Sequence, residues 1–287
     1  MMSSCWQVSF FPEKTPDENF TLFLENFFEV TAQNYADDGG DEYIGYQSGD
    51  FSEDAMRAEA NAQNIALPRY KITHLKSANW LKDYVIEFAP FEICDFMIYG
   101  IHEKEAPQTD KIPLQIYAAT AFGSDHPTTR GCLTAISELY HNGYNARNIL
   151  DVGTGSGILS LAAARLWTSA RLTAVDIDEE AVLVTRSNTA NNGLDGRIDC
   201  AQSDGCQAPL VRNNAPYDLI LANILARPLI DMAADLSASL KPGGYCILSG
   251  FVDNQEDWVI SEYQNHGLKP VKIYSQENWR AALLQKA

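Results

Sequence analysis

The first 75 residues combine strand and helix patterns in an order that predicts a small α+β unit. Apolar and polar residues alternate over 6–11, as in a strand with one buried face. Acidic residues then open the segment 17–28, whose apolar residues recur at helical spacing. Three more strands are predicted at 30–35, 43–47 and 70–75, and a second helix at 52–64. The order βαββαβ is that of a ferredoxin-like sandwich.

From residue 126 onward the pattern alternates between strands and helices, as a doubly wound parallel sheet requires. Strands are predicted at 148–152, 171–176, 197–201, 217–223 and 245–251, with a final antiparallel pair at 269–274 and 279–284. Helices are predicted at 128–140, 157–166, 179–191, 226–240 and 254–266. We therefore predict an α/β domain with a seven-stranded doubly wound sheet at 121–287. Residues 76–120 are assigned to a linker that holds a short helix at 80–88 and strand candidates at 96–99 and 112–118.

A glycine-rich turn follows the first strand of this predicted sheet. Gly153, Gly155 and Gly157 lie between the strand and the next helix, where the backbone has to approach a ligand closely. Asp176 follows Gly153 by 23 positions, at the predicted end of the second strand. A carboxylate at that place can accept hydrogen bonds from both hydroxyls of a ribose. The sequence thus predicts a nucleoside site formed by Gly153, Gly155 and Asp176.

The spacing in the turn favours S-adenosylmethionine over a dinucleotide. The dinucleotide fingerprint G-x-G-x-x-G requires a glycine where this chain has Ile158. The turn reads G-x-G-x-G instead, and Asp151 precedes it. A shorter turn with an acid ahead of it suits a ligand without a pyrophosphate and with a cationic amino-acid end. S-adenosylmethionine is such a ligand.

The charge of the chain narrows the class of partner. The net charge is −17, which argues against a nucleic-acid surface because a phosphate backbone attracts Lys and Arg. Residues 1–110 contain 20 acids and 7 bases, a net of −13, whereas residues 111–287 contain 18 acids and 14 bases, a net of −4. The acidic first part is either a solubilising surface or a docking face for a basic partner.

The remaining composition predicts a cytoplasmic protein without a metal. No run of 18 apolar residues occurs, so no membrane span is expected. The N-terminus lacks a basic stretch followed by an apolar one, so it is not a secretory signal. The six cysteines are scattered without a C-x-x-C, which favours free thiols in a reducing compartment.

Residues 121–280 resemble the PrmA family, the methyltransferases of the large-subunit ribosomal protein L11. The most specific segments are AFGSDHPTT at 121–129 and ANILA at 222–226. LDVGTGSGIL at 150–159, VDID at 175–178, LSGF at 248–251 and ENW at 277–279 also fit. The family loop reads A-F-G-T-G-x-H-P-T-T, so this chain is one residue shorter between Phe122 and His126.

The resemblance implies a reaction and the residues that perform it. Residues 1–75 would hold a basic protein substrate, and Thr129 would contact the methionine end of S-adenosylmethionine. Asn223 would close the site and orient an amine nitrogen, either of lysine side chains or of the N-terminal α-amine of a ribosomal protein. Next to Asp176, Ile177 is a candidate to pack on adenine, and Asp204 is a candidate neighbour of the adenine amine. His126 either shapes the loop ahead of Pro127 or takes part in proton transfer.

Three other functions remain open from the residues. Methyltransferases that act on glutamine amides or adenine amines carry Asn/Asp-Pro-Pro-Tyr/Phe after the fourth strand. This chain has Asn-Ile-Leu-Ala at 223–226, without proline or an aromatic residue, which favours an sp³ amine over a planar target. Another protein or a small-molecule amine is an alternative substrate. A non-catalytic module that binds the nucleoside without turnover is the third alternative.

Overall fold

The computed structural model describes residues 5–12, 14, 16, 18–28, 30–35, 41–48, 51–63, 65–75, 88–103, 105–117 and 126–287. The chain divides into two compact units, Met1–Tyr84 and Val85–Ala287. None of the helices in the described ranges is long and apolar enough to cross a membrane.

The N-terminal unit contains a four-stranded antiparallel sheet. Its elements are β1 (Cys5–Phe11), α1 (Glu18–Phe27), β2 (Val30–Tyr35), β3 (Asp41–Ser48), α2 (Glu53–Ala62) and β4 (Arg69–Leu75). The strand order is β2-β3-β1-β4, and β1 runs antiparallel to both β3 and β4. This order confirms the predicted ferredoxin-like arrangement.

Apolar side chains of β1, α1 and α2 form the core of this unit. Val8 and Phe10 of β1 are fully buried against Phe23 of α1 and Met56 of α2. Helix α2 begins as predicted, because the Ser52 Oγ accepts a hydrogen bond from the backbone amide of residue 55 at 3.2 Å. The apolar spacing of the helices therefore determines which face covers the sheet.

The C-terminal unit contains a seven-stranded sheet and a smaller three-stranded sheet. Its strands are β5 (Phe91–Ile93), β6 (Phe96–Gly100), β7 (Ile112–Ile116), β8 (Asn148–Val152), β9 (Arg171–Asp176), β10 (Ile198–Gln202), β11 (Tyr217–Asn223), β12 (Leu240–Val252), β13 (Leu268–Gln276) and β14 (Trp279–Lys286). The helices are α3 (Pro127–His141), α4 (Ile158–Leu166), α5 (Glu179–Asn191), α6 (Pro209–Asn214), α7 (Ala226–Asp231), α8 (Ala233–Ser239) and α9 (Glu256–Asn265).

The large sheet has the order β10-β9-β8-β11-β12-β14-β13. Strands β8 to β12 are parallel, and β14 runs antiparallel to both of its neighbours. The predicted doubly wound seven-stranded sheet is confirmed. The strand order reverses between β8 and β11, and in open α/β sheets ligands bind beyond the carboxyl ends of the strands at such a point.

Both faces of the large sheet are covered by helices, which explains the nearly continuous apolar runs of its strands. Ile149 and Leu221 belong to the core cluster that also includes residues of α3 and α4. Their chain neighbours Leu150 and Ile220, whose side chains point to the opposite face, belong to the cluster that includes residues of α7, α8 and α9. The strands are consequently rigid supports for the residues at their ends.

The predicted linker differs from the structure. Residues 88–117 belong to the C-terminal unit, and β5, β6 and β7 form the three-stranded sheet there. Ile98 and Leu114 are fully buried in the same core cluster as Leu133 of α3. The strand candidates at 96–99 and 112–118 are confirmed as β6 and β7. Strand β5 was not predicted, because three residues are too few to show a strand pattern. Residues 76–87, with most of the predicted helix at 80–88, lie outside the described residues, as do residues 36–40 between the predicted strands 30–35 and 43–47.

Two further boundaries differ from the sequence prediction. The predicted helix 226–240 is two helices, α7 and α8, separated at Met232. Strand β12 begins at Leu240, before the predicted start at residue 245. Its pairing with β11 passes from Leu240 opposite Tyr217 to Tyr245 opposite Leu219, so the residues between leave the ladder. The short helix α6 was not predicted, because six residues are too few to show a helical period.

Candidate functional site

The ends of three adjacent strands bring the predicted residues to one edge of the large sheet. Val152 of β8 lies opposite Val175 of β9 and opposite Ala222 of β11. The residue after each of these is Gly153, Asp176 or Asn223 respectively. The predicted nucleoside residues and the predicted orienting residue therefore share one edge.

The glycine turn adopts a backbone that other residues rarely accept. Gly153, Gly155 and Gly157 have φ values of 69°, 56° and 81°, all in the left-handed region. A Cβ on Gly153 would also overlap the side chain of Ile224, which follows β11. The backbone amides of residues 153 and 154 both donate to the Val175 carbonyl, at 2.8 and 3.0 Å. The turn is thus held against the end of β9.

Asp176 is held by two backbone amides. Its Oδ2 accepts a hydrogen bond from the Gly155 amide at 2.9 Å, and its Oδ1 accepts one from the Asp178 amide at 3.1 Å. A carboxylate has about four acceptor positions, so each oxygen retains capacity for one more donor. This geometry fits a carboxylate that accepts two ribose hydroxyls.

The acid ahead of the turn, Asp151, is buried. Only 1% of its surface is exposed, and its Oδ2 accepts hydrogen bonds from Thr154 Oγ1 at 2.9 Å and from Ser160 Oγ at 2.7 Å. Burial raises the pKa of Asp151 to about 6, and these hydrogen bonds oppose the rise. A nearby cation would favour its ionised form. The buried acid therefore fits a ligand with a cationic end.

The raised pKa of Asp151 predicts opposite pH effects on stability and on binding. Between the unfolded pKa of about 3.9 and the folded pKa of about 6, the folded state holds a proton that the unfolded state has lost. Unfolding free energy therefore falls as pH rises through this window, by up to about 3 kcal/mol. Asp151→Asn, which imitates the protonated acid, is expected to gain stability relative to the wild type between pH 4.5 and 7.

The affinity for a cationic ligand should change with pH in the direction opposite to the unfolding free energy, because it rises as Asp151 ionises. Above pH 6 the Asp151→Asn variant should bind S-adenosylhomocysteine, whose amino group is cationic, more weakly than the wild type. The two affinities should converge below pH 5. Denaturant unfolding and calorimetry over this range measure both effects, and a pH-independent difference in both would contradict the assignment of Asp151.

Asn223 and Thr129 meet although they are 94 positions apart in the chain. The Asn223 Nδ2 donates to the Thr129 Oγ1 at 3.4 Å, and Thr129 is buried in the first turn of α3. Because the two atoms of a planar amide point in different directions, this contact turns the Asn223 Oδ1 away from Thr129. The structure thus pairs the residue predicted at the methionine end with the residue predicted to orient the amine.

Strand β12 supports the segment that carries Asn223. The Ile224 amide donates to the Ser249 carbonyl at 3.0 Å, and the Ser249 Oγ donates to the Arg280 carbonyl at 2.7 Å. Gly250 has a φ of 97°, and a Cβ there would overlap the backbone carbonyl of Ile224. The Leu-Ser-Gly-Phe segment at 248–251 therefore fixes the backbone position that follows Asn223.

His126 forms the N-terminal cap of α3. Its Nδ1 accepts a hydrogen bond from the Thr128 amide at 3.3 Å and lies 2.9 Å from the Thr128 Oγ1. Its ring also packs edge-on against Trp279, with 4.7 Å between the ring centroids. These contacts support the interpretation that His126 shapes the start of the helix. Residues 121–125, with the one-residue-short loop, lie outside the described residues.

Two exposed apolar side chains lie at the same edge. Ile177, which follows Asp176, is 66% exposed, and Leu225, two residues after Asn223, is 68% exposed. Strand β10 ends at Gln202, and Ser203 and Asp204 follow it. The backbone amide of Ser203 donates a hydrogen bond to the Asp176 carbonyl at 2.8 Å, so Asp204 also lies near this edge. Ile177 and Asp204 were candidates from the sequence. Leu225 was not singled out, although it lies in the Asn-Ile-Leu-Ala segment.

Metal ligands were not predicted, and the described part of the chain contains no group of three or more His, Cys, Asp or Glu side chains that could hold a metal ion. Cys132, Cys206 and Cys246 are buried and free. Burial raises the pKa of Cys132 to about 12, so its thiol stays protonated at neutral pH.

This sheet order, the glycine turn and the acid at the end of β9 define a class I S-adenosylmethionine-dependent methyltransferase. The model of the family "Ribosomal protein L11 methyltransferase (PrmA)" matches residues 21–287. The chain belongs to this family, which confirms the resemblance found in the sequence. Its cofactor is S-adenosylmethionine.

Similar proteins agree with this family. The ribosomal protein L11 methyltransferase of Brucella suis is 35% identical over 272 residues, 91% of this chain and 95% of that protein. The ribosomal protein L11 methyltransferase of Caulobacter sp. K31 is 38% identical over 214 residues, 74% of this chain and 73% of that protein. A crystal structure of the ribosomal protein L11 methylase from Lactobacillus delbrueckii subsp. bulgaricus has a TM-score of 0.62 and 25% identity, and the match covers 70% of this chain and 100% of that one.

Proposed function

We propose that this protein transfers methyl groups from S-adenosylmethionine to amine nitrogens of ribosomal protein L11, in the cytoplasm. The pairing of Asn223 with Thr129 at the cofactor edge is the observation that carries the proposal. This pairing places Asn223, whose Oδ1 can accept a hydrogen bond from an amine, beside Thr129, the residue predicted to contact the methionine end of the cofactor. The names of the relatives support L11 as the substrate.

The residues at the sheet edge have different roles in binding the cofactor. Gly153 and Gly155 allow the backbone to lie close to the ligand, and Asp176 accepts the ribose hydroxyls. Asp151 contributes a buried negative charge, and Thr129 holds the side chain of Asn223. When bound, S-adenosylmethionine supplies a methyl group that is already activated on sulfur. The protein therefore acts mainly by positioning its partners.

The amine has to lose a proton before it can attack. A lysine amine with a pKa of ~10.4 loses its proton at pH 7 at a free-energy cost of roughly 4–5 kcal/mol, whereas an α-amine near ~8 faces only about 1 kcal/mol. The exposed apolar side chain of Leu225 would lower the amine pKa by removing water from it. Asn223 cannot accept a proton at this pH. Its Oδ1 accepts a hydrogen bond from the amine and directs the lone pair, while water carries the proton away.

An amine fits the end of β11 better than a planar substrate does. Asn223 is followed by Ile224 and Leu225, and neither presents a ring on which an amide or a nucleobase would stack. Ile224 fills the space beside Gly153. The segment therefore has an acceptor and aliphatic side chains where a stacking residue would be needed for glutamine or adenine.

The N-terminal unit is proposed to recognise the basic protein substrate. Residues 1–84 contain 14 acids and 6 bases, a net charge of −8. Such a charge steers a positively charged partner toward this unit and disfavours direct contact with nucleic acid. Helix α2 contributes exposed acids to this charge, including Asp54 and Glu59.

Reversing charge on α2 should weaken substrate capture without changing cofactor binding. The double variant Asp54→Lys, Glu59→Lys is expected to raise the KM for L11 several-fold at low salt, because these exposed acids contribute to steering. Steady-state kinetics at two salt concentrations measure this change. The double variant Asp195→Lys, Asp257→Lys, which reverses two exposed acids of the C-terminal unit, is the matched control and should leave KM within twofold. Equal KM values for all three proteins would contradict the substrate role of the N-terminal unit.

Transfer of labelled methyl groups to a defined panel tests the substrate assignment. The panel contains purified L11, other ribosomal proteins, an adenine-containing RNA and a mixture of small primary amines. Label is expected in L11 alone. Label in the RNA or in the small amines would support one of the other substrate classes. Cofactor binding without any transfer would support the non-catalytic module.

A further inference from the structure

A buried side-chain amide connects the glycine turn to strand β7. Asn188 of α5 is fully buried, and its Nδ2 donates to the Ser156 carbonyl at 2.8 Å and to the Tyr117 carbonyl at 3.1 Å. Its Oδ1 accepts a hydrogen bond from the Tyr117 amide at 2.7 Å. Ser156 lies inside the turn, and Tyr117 directly follows β7. One side chain therefore contacts both segments.

A second side-chain amide, that of Asn192 at the C-terminal cap of α5, contacts β7 but makes no hydrogen bond to the described residues of the turn. Asn192 lies four residues after Asn188, and its side chain bonds both the carbonyl and the amide of Gln115, at 2.7 and 3.0 Å. Gln115 and Tyr117 are alternate residues, whose backbone groups face the same side of a strand. The side-chain amides of Asn188 and Asn192 thus make the backbone hydrogen bonds that a neighbouring strand would make along the edge of β7. The remaining bond of the Asn192 Nδ2 is to the Asn188 carbonyl of its own helix.

Helix α5 holds two successive carbonyls of the glycine turn. The Thr185 Oγ1 donates to the Gly155 carbonyl at 2.9 Å, one residue before the carbonyl that Asn188 holds. These contacts fix the peptide planes on both sides of Ser156 in a turn with left-handed glycines. The amide of Gly155 is the group that donates to Asp176. A change in the turn would therefore move the carboxylate predicted to bind the ribose.

We propose that Asn188 is a positioning residue for the S-adenosylmethionine site. Asn188 acts through its hydrogen bonds to Ser156 and Tyr117, and Thr185 assists it by holding the Gly155 carbonyl. The proposal rests on the cofactor assignment made above. A supporting side chain that sets the geometry of a binding turn affects affinity beyond its effect on stability. Asn192 supplies a comparison, because its removal breaks the contact with β7 and leaves the carbonyls of the turn bonded.

The variants Asn188→Ala and Asn192→Ala separate the two roles. Both should lower the thermal unfolding midpoint, since each leaves buried backbone groups without a partner. Asn188→Ala is expected to raise the dissociation constant of S-adenosylhomocysteine at least about tenfold, and Asn192→Ala to change it less than about twofold. In the unliganded proteins, hydrogen exchange should accelerate at Tyr117 and at the turn only in Asn188→Ala.

The nearly isosteric variant Thr185→Val keeps the test decisive if Asn188→Ala does not fold. It removes only the hydroxyl that bonds the Gly155 carbonyl, and it should weaken S-adenosylhomocysteine binding several-fold. Equal losses of affinity in the two asparagine variants would overturn the proposal. The proposal would also be overturned if the dissociation constant of S-adenosylhomocysteine for Asn188→Ala stayed within twofold of the wild-type value. Thr185→Val takes the place of Asn188→Ala in this comparison if the latter does not fold. If the wild type itself did not bind S-adenosylhomocysteine, the cofactor assignment would be the part at fault.

Discussion

Replacing Asn223 by alanine is expected to lower turnover by on the order of 10²-fold or more, as loss of a positioning contact can. The reason is that the Asn223 Oδ1 orients the amine, and alanine offers no acceptor there. Binding of S-adenosylhomocysteine should change much less than turnover, because Asp176 and the glycine turn remain. Single-turnover kinetics with L11 and calorimetry measure the two quantities separately.

A graded control comes from Thr129, which holds the Asn223 side chain. Thr129→Val keeps the shape of the residue but loses the oxygen that accepts from Asn223, so turnover should fall by less than in Asn223→Ala. The competing outcome concerns His126. If His126→Ala abolished turnover while Asn223→Ala kept most of it, proton transfer by His126 would replace orientation by Asn223 as the mechanism.

Replacing Asp176 by alanine is expected to weaken cofactor binding by about 1–3 kcal/mol, the scale of hydrogen bonds to a charged group. This corresponds to a rise of roughly 5- to 150-fold in the dissociation constant. Part of the loss comes from the Gly155 amide, which loses its acceptor. Calorimetric titration with S-adenosylhomocysteine measures the change.

The matched control is Asp199→Ala. Asp199 lies on β10 and pairs with Arg171 at 3.0 Å, so its removal also deletes one negative charge from the sheet. Its affinity for S-adenosylhomocysteine should stay within twofold of the wild type. An unchanged affinity in Asp176→Ala would remove Asp176 from the site, and tight binding of a nicotinamide dinucleotide would overturn the class of protein.

Much of the cofactor edge was predictable from the sequence. Strands β8, β9 and β11 begin and end where their apolar runs predict, since such runs are bounded by turn residues on both sides. Once these ends are known, a parallel sheet places Gly153, Asp176 and Asn223 at one edge. The ferredoxin-like order of the N-terminal unit likewise follows from the alternation of its strands and helices.

Other parts of the site required the structure. The contact between Thr129 and Asn223 joins residues far apart in the chain, so no local pattern indicates it. Asn188 was missed because α5 buries polar residues, such as Thr185 and Asn188, on the face where a pattern predicts apolar ones. Strand β5 has only three residues, too few to show a period of two.

The most direct test of the central claim is transfer of labelled methyl groups to purified L11 before and after acetylation of its amines. Acetylation converts lysine and N-terminal amines into amides, whose nitrogen lone pair is delocalised into the carbonyl group and is no longer nucleophilic. We expect incorporation into untreated L11 and only background in acetylated L11. Undiminished incorporation after acetylation, or no incorporation into untreated L11 by a protein that binds S-adenosylhomocysteine, would contradict the claim.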